Sequence, residues 1–355
     1  MSRFIYIRGL RQVEHTVFGV SDGQKHYWDA LTNKPQPYSS GQQVKRSILD
    51  AMVESMDGER RAPITFNYQL KKAKAGEVKQ SDQKEPWNPC DPKYADQLIG
   101  GWMRAQKGAT AVKRRSPLSI SAMRPLHPSL ARLEDSESGT FDRSDQPGYH
   151  KVRVTDEKGD ELSPEEIKAY LTEADKTLPM RNWLKLGPRA NGLFVFDIAV
   201  DLTTLFSVST NQYDPEITEE QIAELKEEGW REVGDRLYAP TERQSQILKA
   251  LAKAIVNWRI TSNQSRTFSP QGTLALAVSN NANSIINAIR ADIVEDATQP
   301  YKAAPVIDDS IDGVELFLAP AVKGFVSEVV VDGNAMNNAE QYILQELQKG
   351  VMQTS

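Results

Sequence analysis

The order of apolar patterns along this chain predicts an α+β fold with helices on one face of an antiparallel sheet. Two observations carry that expectation. Patterned segments follow one another as strand, helix, strands, helix, strands, and the two clearest strands alternate residue by residue between an inward and an outward side. A third is that long polar stretches interrupt this order, as insertions into one domain do.

The first strand runs from Phe4 to Leu10, with Ile5 and Ile7 on one side and Phe4, Tyr6 and Arg8 on the other. A loop containing Asp22-Gly23 and Pro35-Gln36-Pro37 leads to a helix from about Gln42 to Met56. Ser39/Gln42 and Ser40/Gln43 both have capping-box spacing, and Val44, Ile48, Ala51 and Met52 form the apolar stripe. Residues 57–107 are polar and broken by Gly and Pro. A strand is expected over Ser116–Met123, then an irregular region at about 134–191 holding one helix, Pro164–Leu171, capped by Ser163. The clearest buried strand follows. Phe194, Phe196, Ile198, Val200 and Leu202 share its apolar face, and Asp197 and Asp201 lie opposite. Thr241 is expected to cap a long helix with the stripe Ile247, Leu248, Leu251, Ile255 and Trp258. Beyond it come a strand over Leu274–Val278, a helix around Ser284–Ile293, strands near Val314–Leu318 and Val326–Val331, and a last helix Ala339–Leu347. The 355 residues are expected to form a single domain with insertions at about 57–107, 134–191 and 207–235.

The composition, 39% hydrophobic and 26% charged, is that of a globular protein with a sizeable core. No apolar run approaches the roughly 20 residues that cross a bilayer, and the N-terminus lacks a signal-peptide pattern, so a cytoplasmic location is expected. Cys90 is the only cysteine, which excludes an intrachain disulfide and any multi-cysteine metal site. His15, His26, His127 and His150 have no ligand spacing, and no GxSxG, HExxH, Walker or GxGxxG motif is present. Neither a cofactor nor a metal is expected.

Charge is where the chain is most informative. From Gly100 to Leu133 there are seven Lys/Arg and no Asp/Glu, in a chain of net charge -5. Lys113, Arg114 and Arg115 lead this island straight into the expected strand, at its solvated end. A cationic island on an acidic protein suits a polyanion. The plainer alternative is a solvated charge run beside an edge strand. A second group, Ser40, Gln42, Gln43, Lys45 and Arg46, sits at the start of the first helix, where backbone N–H groups and the positive end of the dipole favour phosphate. There the alternative is an ordinary surface helix in which Arg46 pairs with Asp50. Residues 207–235 hold nine Asp/Glu against two Lys/Arg, so the acidity is concentrated in one insertion.

Four stretches, in this order, resemble the CRISPR-associated backbone subunit of Cascade-type complexes, in its DevR-like branch. They are the N-terminal strand with its Arg8-Gly9-Leu10 end, Ser39-Ser40-Gly41-Gln42-Gln43-Val44-Lys45-Arg46, Arg114-Arg115-Ser116-Pro117-Leu118, and the helix-to-loop segment reaching Arg266. With the Phe194–Leu202 strand they span about residues 1 to 280. The resemblance implies an RRM-like (ferredoxin-like) palm elaborated by finger and thumb insertions. It also implies a non-catalytic subunit that stacks with copies of itself along a CRISPR RNA and contacts other effector subunits, while the guide pairs with target nucleic acid. Phosphate contacts are then assigned to Ser40, Gln42, Gln43, Lys45, Arg46, Lys113, Arg114 and Arg115, and more weakly to Arg8, Arg11 and Arg266. Phe4 and Tyr6 read better as packing than as base-stacking platforms.

Two other functions fit parts of the pattern. Related backbone subunits cut target RNA with an aspartate in the loop after the first strand, and Asp22 and Asp29 lie in that region. Beside Gly23, however, an aspartate is more often a turn former. A general single-stranded nucleic-acid binder would interleave aromatics with its basic groove, and none interleaves with residues 100–133 apart from Trp102 at their margin.

Overall fold

The computed structural model describes residues 3–19, 24–66, 70–72, 78–80, 88–104, 111–134, 139–142, 151–178, 181–184, 188–260, 269–295 and 301–354. Its helices are α1 (Gly41–Glu54), α2 (Ala95–Gly100), α3 (Pro164–Glu173), α4 (Glu219–Glu227), α5 (Thr241–Asn257), α6 (Ala282–Ala288) and α7 (Ala335–Thr354). The chain divides into two compact units, Met1–Leu133 with Ala190–Ser355, and Glu134–Arg189.

A seven-stranded antiparallel sheet organises the larger unit. The 13-residue strand Phe4–Thr16 lies between Arg189–Asp201 and Thr273–Ser279, and the latter pairs with Val314–Leu318. Along its other edge, Arg189–Asp201 carries three short strands, Leu118–Ile120, Arg124–Pro125 and Ala131–Glu134. The predicted alternation is what places the core. Ile5, Ile7, Phe194, Phe196, Ile198 and Val200 are buried on one face with Val44, Ile48 and Met52 of α1, Leu251 and Ile255 of α5 and Ile343 of α7.

The second face is covered too. Leu10, Leu193, Val195, Leu274 and Ala277 pack with Ile285 of α6 and Ile289 of the hairpin formed by Ile289–Ile293 and Ala303–Ile307. Helices therefore lie on both faces, and Tyr6 packs against this second cluster. That covering accounts for the sheet face serving packing here.

Several boundaries differ from expectation. Only Leu118–Ile120 of the Ser116–Met123 segment is strand: Ser121 N still bonds Asp197 O of the neighbouring strand, but Met123 leaves the ladder for an isolated bridge to Ser39. Pro240, not Thr241, occupies the N-cap of α5, with no side-chain cap. α6 stops at Ala288, and Ile289 onward extends into the hairpin strand. Val326–Val331 forms no strand; its valines are half-buried or exposed and partly pack under the sheet's second face. The segment 207–235 and the strand that follows it form a small three-stranded sheet (Ser207–Ser209, Arg236–Tyr238, Arg231–Val233), and with α4 they bury Ile217, Leu225 and Trp230 in the main core.

In the smaller unit, Ser163 caps α3 through a full capping box: Glu166 N donates to Ser163 Oγ at 3.3 Å, and Ser163 N to Glu166 Oε2 at 2.8 Å. Gly139–Asp142 pairs antiparallel with Arg181–Leu184, with α3 in the connection between them.

At the edge of the main sheet, Arg3 Nε and Thr203 Oγ1 donate to Asp201 at 3.1 and 2.7 Å. Burial disfavours the Asp201 carboxylate, but these hydrogen bonds outweigh it and hold its pKa down at about 2. The folded value lies below the unfolded one, so the contribution is present above about pH 4 and is lost as pH falls towards 2. With Arg3 half-exposed and screened, about 1 kcal/mol is expected. Unfolding midpoints of Asp201→Asn should accordingly lose this part of the wild-type slope between pH 4 and 2. Parallel curves for the two proteins would refute it.

Candidate nucleic-acid interface

The first helix starts as the sequence indicates. Ser40 is the N-cap of α1, its Oγ accepting from Gln43 N at 3.4 Å, while Ser39 Oγ bonds the Gln43 side chain at 3.0 Å. Gly41 follows because a Cβ there would lie 2.7 Å from the Ile120 carbonyl oxygen, so only glycine lets the helix start this close to the sheet. Val44, Ile48 and Met52 face the core, leaving Gln42 and Arg46 outward and Lys45 between.

The two cationic groups meet at the carboxyl end of α2. A helix ends with carbonyls that have no partner within it. Here Lys45 Nζ donates to Gly100 O at 2.8 Å, Ser116 Oγ to Ile99 O at 3.1 Å, and Arg114 Nη1 to Leu98 O. Gly101 closes the helix at φ 73°, and a Cβ there would press on the backbone of Arg114 and Ser116. Residues far apart in sequence thus converge on one helix end.

Convergence has a consequence for Arg114. It is the correction to the expectation that Lys113, Arg114 and Arg115 all sit at a solvated strand end. Lys113 and Arg115 are exposed, whereas Arg114 is 3% exposed in the hairpin of Trp102–Arg104 and Val112–Arg114. Besides Leu98 O, its guanidinium donates to Thr204 O at 2.6 Å and Ser207 O at 3.1 Å and lies 5.4 Å from the Trp102 ring centroid. Burial lowers its pKa to about 10, so it stays charged at neutral pH. Burial, then the nearby Arg114 charge, brings Lys45 down to about 8.

The remaining positions separate clearly. Arg46, with a side chain 53% exposed, pairs with Asp50 at 3.1 Å, as an ordinary helix surface would have it, and Asp50 also meets Arg61 at 2.5 Å. Gln42, Lys45, Arg46, Arg61, Gly100 and Gly101 line one depression of about 300 Å³. Arg115 has no ion pair or side-chain hydrogen bond among the described residues. Lys113 Nζ lies 3.2 Å from Asp214, so the acidic segment 207–235 already meets the chain's own basic hairpin.

Arg8 and Arg11 lie inside. Arg8 faces Asp197 across the sheet, bonding it at 2.7 Å and Ile289 O at 2.9 Å. Arg11 stacks 3.8 Å from the Trp258 ring centroid, with Nε and Nη1 lacking hydrogen-bond partners. Burial, then repulsion from Arg259, lowers its pKa to about 9. Arg266 and Asp22 lie outside the described residues. Asp29 Oδ2 accepts from both Thr32 N and Thr32 Oγ1 at 2.7 Å, which is turn chemistry, and the first of the resulting effects, the Thr32 hydroxyl, lowers its pKa. Among the described residues no His/Cys/Asp/Glu group of three or more could hold a metal, and no helix is long and apolar enough to cross a membrane. The role of α2 as the meeting point had no signal in the sequence, since its cap donors come from segments before and after it.

No family model and no curated protein matches this chain. Among solved structures it is similar to a chain of a "CRISPR RNA-guided surveillance complex, pre-nicking", at 11% identity and a TM-score of 0.40, covering 98% of this chain and 89% of that one. It is also similar to a chain of a "CRISPR RNA-guided surveillance complex", at 9% identity and a TM-score of 0.41, covering 97% and 99%. At these TM-scores neither likeness bears on the fold or on what the chain does.

Proposed function

We propose that this chain is a non-catalytic RNA-binding backbone subunit of a CRISPR RNA-guided effector complex. In this reading it polymerises along the guide and holds its phosphates while the guide pairs with target nucleic acid. The observation that carries the proposal is the meeting of the two cationic segments around the end of α2, with Gln42, Arg46 and Arg115 outward on a chain of net charge -5. Phosphate binding asks for cations and amide donors on a rigid support, and the caps at Leu98, Ile99 and Gly100 supply that rigidity.

The finer reading of the fold is an RRM-like palm. Its support is the sheet order, in which the short strands of 118–134 lie beside Arg189–Asp201, then Phe4–Thr16, then Thr273–Ser279, with α1 and α5 sharing the core on one face. Residues 57–107 and 207–235 then take the finger and thumb positions. Occupation of Asp29 by its own turn supports a scaffold over a ribonuclease. Identical copies in open head-to-tail contact would generate a filament.

The test is purification followed by mass measurement on RNAs of increasing length. A single bound RNA species of uniform length and stepwise addition of copies are expected. Affinity should fall with salt at a log–log slope of about -0.7 per phosphate neutralised. A heterogeneous RNA smear, one copy at every length or a flat salt dependence would overturn the reading, and evenly spaced cuts in guide-matched RNA with magnesium would make the subunit an endoribonuclease.

A further inference from the structure

The hairpin that precedes α1 carries an exposed aromatic and basic face that shares no residue with the α2 cluster. His26–Asp29 pairs with Lys34–Pro37, setting Tyr27 opposite Gln36, and Tyr38 N extends the ladder by donating to Lys25 O at 3.2 Å. On the far side Ser39 and Met123 exchange backbone hydrogen bonds of 2.9 and 3.0 Å, and the antiparallel register from that bridge sets Tyr38 opposite Arg124. Successive residues of a strand face opposite ways, so Lys25, Tyr38 and Arg124 stand in one row on one face, with Tyr27 beside Tyr38. The two rings meet edge to face, their centroids 5.9 Å apart.

Three features of this face select a ligand. Lys25 and Arg124 are exposed and have no ion pair or side-chain hydrogen bond among the described residues, so the row offers two uncommitted positive charges. Asp29 shares the face but is held by its own turn, through Thr32 N and Oγ1. Tyr27 is 38% exposed, so the ring pair is open to solvent beside both cations. Burial, then the Asp29 charge, raises the Tyr27 pKa and Arg124 opposes them, which sets that guanidinium near the phenol. Neighbouring strands lie about 4.8 Å apart, so Lys25 and Arg124 leave the backbone about 10 Å from each other, one on each side of Tyr38. Around Arg124 the linear sequence interleaves no aromatic with the basic island, and the ladder supplies two.

We infer that this face binds a single-stranded nucleic acid, with one base against the Tyr27–Tyr38 pair and the phosphates on either side of it held by Lys25 and Arg124. An unpaired strand asks for aromatic rings with cations beside them, since each base has a π face and each linkage a charge. A duplex keeps its bases stacked inside, and an acidic peptide offers the rings no plane, so both suit this face less well. Stacking and phosphate contacts distinguish neither base nor sugar, so the contact is tolerant of both. Trp28, 64% exposed, lies on the opposite face of the hairpin, where Pro35 and not a cation stands across from it. It takes no part in the contact. The inference goes beyond the scaffold proposal and stands without it.

The experiment uses the full chain with a photoreactive uridine-containing RNA hexamer, cross-linked and mapped by mass spectrometry. Anisotropy of the same hexamer and thermal unfolding accompany every variant. A cross-link at or beside Tyr27 or Tyr38 is expected. Lys25→Glu combined with Arg124→Glu should weaken hexamer binding about tenfold and make the log–log salt slope shallower by about 1.4, with the unfolding midpoint unmoved. Tyr27→Ala should weaken binding about tenfold, Tyr27→Phe should preserve it, and Trp28→Ala should change neither affinity nor cross-link. An unlabelled DNA hexamer of the same sequence should compete as well as the RNA, while hexaglutamate and a short RNA duplex should not. The cross-link should persist in an Arg46→Glu/Arg115→Glu variant, which separates this face from the α2 cluster. Equal competition by hexaglutamate would make it a site for acidic peptides, and equal competition by the duplex would reduce it to a general positive field. Either result, a DNA hexamer that fails to compete, or unchanged affinity in the Lys25→Glu/Arg124→Glu variant overturns the inference.

Discussion

Arg114→Ala is expected to destabilise the protein by about 3 kcal/mol or more, while Arg115→Ala, one residue away, changes stability by no more than about 0.5 kcal/mol. The difference lies in what each side chain touches. Removing the Arg114 guanidinium takes a donor from each of the carbonyls of Leu98, Thr204 and Ser207, leaving Ser207 O to Arg236 and Thr204 O to a long bond from Ser207 N, and opens a void beside Trp102. Arg115 is exposed and has no such contacts. Arg114→Lys keeps the charge but has one nitrogen in place of a planar fork, so it should fall between wild type and alanine. Denaturant unfolding of the three variants checks this. Equal midpoints for Arg114→Ala and Arg115→Ala would show that the buried fork does not hold the end of α2.

Arg46→Glu combined with Arg115→Glu is expected to lower RNA affinity about 100-fold at low salt, and to make the log–log salt slope shallower by about 1.4, the share of two phosphate contacts. Stability should barely change. The Arg46–Asp50 pair is an exposed i,i+4 contact worth about 0.3–0.5 kcal/mol, and Arg115 carries no pair among the described residues. Anisotropy titrations across a salt series, with thermal unfolding alongside, separate lost binding from lost folding. An unchanged affinity in a well-folded double variant would remove this surface from RNA contact.

Where the sequence was legible, local rules and tertiary packing agree. Ser40 caps α1 because its hydroxyl sits within reach of Gln43 N, and Val44, Ile48 and Met52 are buried because helical spacing places them on one stripe. The Phe194–Leu202 alternation survives intact for the same reason. The candidate site was legible in which cations it contains and not in which of them face solvent. In Lys113-Arg114-Arg115 the middle cation turns inward because its partners, Leu98, Thr204 and Ser207, arrive from elsewhere in the chain. Arg8 is buried by a facing aspartate and a carbonyl from Ile289, and Arg11 by the Trp258 ring, none of which local spacing reveals. The end of the predicted 284–293 helix failed differently: Ile289 onward finds a ladder partner in Ala303–Ile307, and sheet pairing overrides the helical pattern.

The contact between Asp214 and Lys113 changes how the free chain meets any polyanion. Both side chains are more than half exposed, so the pair is weak and easily exchanged. A strand of RNA reaching Lys113 displaces a carboxylate already tethered there instead of mobile ions from solution. Such an exchange releases little salt, so under the proposed function Lys113 would contribute less to the ionic-strength dependence than Arg115. The tethered acid is a resident competitor: stray anions would gain little at Lys113, and under the proposed function a polyanion would gain there only once its other phosphates were in register with Arg46 and Arg115.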